Sequence, residues 1–131
     1  MSVTNQKGDI GEAAFYLKAM EKGYWAGRMP QDCPYDFALD RGNGLERVQV
    51  KYRATSKNGS LQIDSTSTSL SSNRSYKDCV DQFAVYSPDT KEVYLIPASK
   101  ITKGTASIFR VTPTKNNQTK GVTLLEDFIS W

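Results

Sequence analysis

No histidine occurs anywhere in these 131 residues. That absence removes Ser-His-Asp and Cys-His nucleophile systems, HExxH metalloproteases and every nuclease that uses histidine as base or ligand. Chemistry without histidine rests on carboxylates, amides, lysine, tyrosine or a hard metal ion held by oxygen. Cysteine is nearly as scarce: Cys33 and Cys79 stand far apart and form neither a CxxC pair nor a zinc spacing. Reduced structural thiols are expected of them rather than a disulfide. Long apolar runs are missing too. No stretch approaches the roughly 20 apolar residues that cross a bilayer, and the polar start from Met1 to Asp9 has no signal-peptide character. A soluble, cytoplasmic protein without a membrane partner is expected. Lys103-Gly104-Thr105 has the residues that end a phosphate-binding loop, but no glycine stands at the required position before it.

What is present points to one domain, residues 1–131, long enough to bury most of its unfolded surface in a single core. Seven tyrosines, five phenylalanines and two tryptophans supply bulk for that core. Lysine and arginine outnumber aspartate and glutamate by 17 to 14, a net charge of +3. This bias permits nucleic-acid binding without requiring it, because such binding needs a local basic surface more than a large total.

The pattern along the chain predicts a helix from Asn5 to Lys22, stopped by Gly23. Ile10, Ala13, Ala14, Leu17 and Met20 make its apolar repeat, with Lys7, Lys18 and Lys22 on the opposite, solvated side. Glu12 shares a packed flank with Tyr16 and Ala19, where a carboxylate needs a partner or a purpose. Short strands follow at Tyr24 to Met29 and Tyr35 to Asp40, then a hairpin turn at Arg41-Gly42-Asn43-Gly44. Arg47 to Arg53 alternates, with Val48, Val50 and Tyr52 on one side and Arg47, Gln49, Lys51 and Arg53 on the other. Further strands are expected at Ser60 to Ser65, Phe83 to Tyr86, Val93 to Ile96 and Ile108 to Val111. A Ser/Thr-rich surface loop at Ser65 to Ser75, a helical turn at Tyr76 to Val80 and a polar loop at Lys115 to Lys120 connect them. A closing helix from Leu124 to Trp131, capped by Thr123 and Glu126, completes a mixed α/β core around one central sheet.

Two adjacent strands carry the residues with chemistry. Antiparallel pairing across the hairpin brings Asp36 near Gln49 and Lys51, and those two share a face because they are two residues apart. A carboxylate, an amide oxygen and an ammonium then occupy one patch, a combination suited to hydrolysing a phosphodiester. Magnesium takes hard oxygen ligands and keeps several waters. Asp36, the Gln49 side-chain oxygen and the Val50 carbonyl would hold it, with Glu12 reaching the site through water. The ion would polarise the phosphate and lower the pKa of the attacking water, while Lys51 orients that water or offsets phosphate charge. Each signal has a plainer reading. An Asp after Pro-Tyr is most often a turn residue, alternating Gln and Lys is ordinarily a solvated face, and Glu12 could simply pair with a lysine. Their joint order is what makes the set specific.

Gly8-Asp9-Ile10-Gly11-Glu12, Pro34-Tyr35-Asp36 and Gln49-Val50-Lys51 together resemble the PD-(D/E)XK nucleases. The pattern looks most like homing endonucleases encoded in cyanobacterial group I introns, and archaeal Holliday junction resolvases share a related one. Asp81-Gln82-Phe83-Ala84-Val85-Tyr86 is similar to a segment of the same group. The resemblance implies a restriction-endonuclease-like core, a central mixed sheet flanked by helices. It implies catalytic roles for Glu12, Asp36, Gln49 and Lys51, magnesium dependence, 5'-phosphate products, and homo-oligomers on long, nearly palindromic double-stranded DNA sites. Gln49 departs from the usual Glu or Asp, which leaves a catalytically inactive DNA-binding module of the same fold as an alternative, beside a resolvase or restriction-type enzyme.

Arg47, Arg53, Lys57, Arg74 and Lys77, interleaved with Tyr52 and Tyr76, are the candidate DNA contacts; ordinary surface charge explains any one of them equally well. A duplex cut needs two active sites, so a homo-oligomer is expected, a tetramer by the resemblance with a dimer as fallback. Phe128 and Trp131 are the candidate apolar surface for that interface.

Overall fold

Gly23 ends the first element in the way its position predicts. In the computed structural model, which describes residues 3–56, 59–64, 79–101, 106–110 and 123–131, helix α1 spans Val3–Glu21. Gly23 adopts φ 80°; its N–H donates to Met20 O, and the Tyr24 N–H to Ala19 O, both at 2.9 Å. The two bonds satisfy carbonyls the helix leaves open, at a φ that a side chain would strain.

Among the described residues seven strands follow: β1 Trp25–Arg28, β2 Phe37–Asp40, β3 Leu45–Tyr52, β4 Ser60–Asp64, β5 Gln82–Ser87, β6 Glu92–Pro97 and β7 Ala106–Arg110. Five form a sheet in the order β1-β2-β3-β5-β6, and β4 pairs with β7 in a separate ribbon. β3 and β5 run parallel while the other pairs are antiparallel, so the sheet is mixed as expected. The hairpin between β2 and β3 turns through Gly42 at φ 103° and Gly44 at φ 113°. The Gly42 N–H also donates to Asp40 Oδ1 at 2.8 Å.

Strand alternation sorts the core into two layers. On β5 and β6, Phe83, Val85, Tyr94 and Ile96 face one way and pack with Leu61, Ile63 and Phe109 of the ribbon. Ala84, Val93 and Leu95 face the other way, toward Phe15 and Ala19 of α1, together with Phe37, Leu39 and Val48. Among the described residues α1 therefore covers one face of the sheet, and the β4–β7 ribbon rather than another α-helix covers the other.

The buried face of α1 differs from the expected one. Leu17 and Met20 are more than half exposed and Ile10 is 43% exposed, whereas Phe15 and Ala19 are fully buried. Counting apolar positions favoured the longer stripe; the structure selects the smoother one, Gly11, Phe15 and Ala19. A Cβ on Gly11 would already stand 3.4 Å from Val50 Cγ1, so this stripe lets the helix lie close on β3. Lys18 is not on a solvated side either. Its ammonium donates to Val93 O and to Ile129 O, both at 2.8 Å, and lies over the Trp131 ring. Burial lowers the Lys18 pKa, with Glu92 opposing that shift.

At the other end of the chain two expectations fail. Leu125–Phe128 is a 3-10 turn capped by Leu124 with no side-chain bond, so Thr123 and Glu126 do not form the expected capping box. Thr123 instead accepts the Arg110 N–H at its carbonyl. Trp131 is only 7% exposed, stacked on Phe15 at 5.6 Å between centroids and donating to Val93 O. Phe128 packs edge-on against Phe109. The core takes the apolar surface that these rings were expected to offer a partner. Cys33 and Cys79 are free thiols, as expected. The loops at 65–75 and 115–120 and most of the turn at 76–80 lie outside the described residues.

The two helix stripes make opposite demands on a melting experiment. Phe15→Ala is expected to cost about 3–5 kcal/mol through the cavity it leaves. Leu17→Ala is expected to change stability by less than about 0.5 kcal/mol. Denaturant titration of both variants checks the assignment, and a larger loss for Leu17→Ala would reverse it.

Candidate active site

Asp36 is fastened to β3 on both sides of Gln49. Its N–H donates to Val48 O at 2.9 Å, and its carboxylate Oδ2 accepts the Val50 N–H at 2.9 Å. The residue stands just before β2, where backbone pairing gives way to side-chain pairing. Pro34 and the turn before it keep the preceding chain from continuing the ladder. A carboxylate is thus held beside Gln49-Val50-Lys51 by two short bonds.

Lys51 projects from β3 toward the opposite face from Val48 and Val50. It is 9% exposed, with its Nζ 5.8 Å from the centroid of Phe83, and its charge acts on Asp36. Glu12 comes from α1, one residue beyond the close contact at Gly11. Its side chain is 20% exposed, and its Oε1 accepts a hydrogen bond from Arg28 Nη1 at 2.6 Å. The fold therefore brings Glu12, Asp36 and Lys51 into one electrostatic neighbourhood, with Gln49 half-buried between the two β3 residues that Asp36 engages.

The candidate DNA contacts divide. Arg47 is tied to Asp81: its backbone N–H and Nε both donate to Oδ2, and its Nη2 donates to Oδ1 at 3.1 Å. Asp81 N–H in turn donates to Arg47 O, so this pair staples the parallel strands β3 and β5 together. The hydrogen bonds from Arg47 hold the Asp81 carboxyl below its usual pKa. Arg53 donates to Tyr52 O and lines a cleft of about 270 Å³ with Lys7, Gly8, Val50, Lys51 and Tyr52. Lys57, Arg74, Tyr76 and Lys77 lie outside the described residues. Two cations at the site were missed from the sequence. Lys7, assigned to a solvated helix face, sits over the Tyr52 ring; Arg28, at the end of an edge strand, belongs to no motif.

Among the described residues no three of His, Cys, Asp and Glu gather in a metal-binding cluster. The carboxylate donors at the site are two, Glu12 and Asp36, and the other oxygens are the Gln49 amide and the Val50 carbonyl. This all-oxygen set fits a hard divalent cation that keeps part of its water shell. The state of Asp36 points the same way. Burial raises its pKa first and the Glu12 charge adds to that, against the Val50 N–H, Arg28 and Lys51, which lower it. A carboxylate whose charged form is disfavoured by burial and a neighbouring anion is one that a cation would stabilise.

A raised folded-state pKa means that folding favours protonated Asp36. Its stabilising contribution is complete below the ordinary carboxylate value and is lost as pH rises through the raised one. Asp36→Asn keeps an oxygen for the Val50 N–H and removes the charge. The variant is expected to melt above the parent at neutral pH without divalent metal, and the gap should narrow as pH falls. Thermal melts across pH check this; a variant that melts lower throughout would contradict it.

Comparison with known proteins bears on the fold and the family. No curated protein matches the chain by sequence. Among solved structures, the bacterial homing endonuclease I-Ssp6803I superposes with a TM-score of 0.71 at 23% identity, covering 91% of this chain and 84% of its own. The Holliday junction resolvase Hjc of the archaeal hyperthermophile Archaeoglobus fulgidus superposes at 0.55 with 15% identity, covering 79% and 84%. At these identities the likeness is one of fold. The sequence profile of the PD-(D/E)XK endonucleases matches residues 2–130, and the chain belongs to that family.

Proposed function

We propose that this chain is a magnesium-dependent, site-specific endonuclease of double-stranded DNA, of the intron-homing kind. The observation that carries the reading is the double fastening of Asp36 around Gln49, with buried Lys51 on the same strand. The likeness to a homing endonuclease over most of both chains supports it. Magnesium held by Asp36, Gln49 and the Val50 carbonyl, with Glu12 acting through water, would supply Lewis acidity to the scissile phosphate and acidify a water. Lys51, buried on β3 with its ammonium over the Phe83 ring, orients the attacking water and offsets charge on the phosphate. Water loses a proton as it adds to phosphorus, the bond to the 3'-oxygen breaks, that oxygen takes up a proton and leaves as a 3'-hydroxyl, and the phosphate stays on the 5'-oxygen. Lys7 and Arg53 on the neighbouring cleft bind flanking phosphates. Arg47 contributes less to DNA binding because its guanidinium is engaged by Asp81.

A duplex cut by so small a domain calls for more than one copy, a tetramer by preference and a dimer otherwise. Light scattering of the protein on DNA tests this, and a particle that stays single would refute it. The resolvase likeness favours a second reading, cleavage of branched DNA by the same site. Incubation with linear duplex and with a four-way junction, with and without magnesium, separates the two readings by which substrate is cut. Loss of all cleavage in both, with DNA binding intact, would leave a binding module of the same fold.

Within the nuclease reading, Lys51→Ala is expected to abolish cleavage while most DNA affinity remains, and activity within about tenfold of the parent would remove Lys51 from the chemistry. Gln49 should ligate through a neutral oxygen, which attracts a divalent cation less than a carboxylate does. Gln49→Glu is therefore expected to bind magnesium more tightly and to keep at least partial cleavage, whereas Gln49→Leu has no oxygen to offer and should be inactive. Cleavage by the Leu variant equal to the parent at limiting magnesium would show that Gln49 is no ligand.

A further inference from the structure

Arg28 occupies a position that the proposed chemistry does not use. It ends edge strand β1, paired across from Phe37, and the next residue, Met29, donates its N–H to Asp36 O at 2.9 Å. Its guanidinium lies over the Phe37 ring at 5.1 Å and donates to Glu12 Oε1 at 2.6 Å. It bonds directly to one carboxylate of the site while its charge also acts on the other. The two ends of this ion pair differ. The Glu12 side chain is 20% exposed, whereas that of Arg28 is 61% exposed.

We infer that Arg28 is a resident counter-ion of the candidate metal site, which yields Glu12 to the divalent cation and then contacts a DNA phosphate. The inference rests on the nuclease reading above. Two carboxylates facing one another repel unless a positive charge lies between or beside them. In the protein without metal, Arg28 provides that charge and holds Glu12 in place. A divalent cation brings two positive charges to the same carboxylates, and a guanidinium beside it is then repelled. The exposed end of the pair is the one free to leave, because an exposed ion pair is held weakly. A place to go is at hand: an open cleft of about 400 Å³ lined by Tyr16, Ala26, Gly27, Arg28 and Phe37. Gly27, with nothing within 4 Å of a Cβ built on it, leaves the strand uncrowded there. A planar guanidinium released at the rim of a phosphodiester-cleaving site is suited to a backbone phosphate, which it meets with two nitrogens at once. Metal binding and phosphate contact are thereby coupled through one side chain, a positioning role rather than a catalytic one.

The test uses the full chain, the variants Arg28→Met and Arg28→Lys, and calcium as the probe ion. Calorimetry without DNA should find calcium bound about fivefold more tightly by Arg28→Met, the scale of one partly exposed ion pair. Arg28→Lys, which keeps the charge, should restore the parent affinity. In the second arm, duplex binding is measured against salt concentration with and without calcium, the duplex being checked for integrity. Calcium should steepen the parent's salt dependence by about one phosphate contact and leave that of Arg28→Met unchanged. The inference is overturned if Arg28→Met and the parent bind calcium alike, if Arg28→Lys binds as tightly as Arg28→Met, or if the parent's salt dependence ignores calcium. A parent that binds no divalent cation would overturn both this inference and the nuclease reading. A parent that binds the ion and cuts DNA, with Arg28 variants indistinguishable from it, would overturn this one alone.

Discussion

The candidate site hangs on how one aspartate is held. Asp36 uses its backbone N–H and its carboxylate to engage the two β3 residues that flank Gln49. A strand residue spends its polar backbone groups on its neighbour and points its side chain away from the ladder. Asp36 departs from that rule just before β2 begins, where its carboxylate replaces a carbonyl as acceptor for the Val50 N–H. The substitution keeps a buried donor satisfied and fixes an anion beside the strand that carries Gln49 and Lys51. Without it, the carboxylate would be free to turn toward solvent.

The rest of the fold keeps β3 still. On one side β2 holds it through the glycine hairpin; on the other β5 runs parallel to it and is stapled by Arg47 and Asp81. Above, α1 lies close because Gly11 has no side chain, and that closeness sets the depth from which Glu12 reaches toward the site. The helix is in turn anchored at its far end, where Phe15 stacks on Trp131 and Lys18 bonds carbonyls of both β6 and the residue Ile129. A half-buried ammonium is costly unless its hydrogen bonds are met, and here two carbonyls and Glu92 meet them. A side chain at the C-terminal end of α1 thus helps to set the position of a carboxylate nearer its N-terminal end.

Charge at the site follows from this packing. Glu12 and Asp36 are brought together by elements that pack for apolar reasons, and their mutual repulsion is offset by Arg28, by Lys51 and by the Val50 N–H. Local unfavourable electrostatics of this kind, compensated by the rest of the core, gathers at functional sites. It is consistent with an all-oxygen donor set that has few carboxylates of its own.

The order of a helix carboxylate, an aspartate, a glycine turn and Gln-x-Lys was legible in the sequence because each step is local. Turn glycines, strand alternation and a helix stop act within a few residues, so Gly23, Gly42 and Gly44 fell where they were expected, as did the pairing of β2 with β3. Three things were not local, and only the tertiary structure decided them. The buried stripe of α1 was settled by how near Gly11 allows the helix to β3, which favoured Phe15 over the more numerous Leu17 and Met20. Trp131 and Lys18 became parts of the core because β6 presents the Val93 carbonyl to both, a contact spanning 38 residues in one case and 75 in the other. Arg28 joined the site because an edge strand set its guanidinium beside a helix carboxylate 16 residues earlier. The sequence determined which residues could make the site, since composition and short-range pattern are written along the chain. Which of them meet depended on packing, because contacts between distant segments exist only once apolar surfaces have closed on each other.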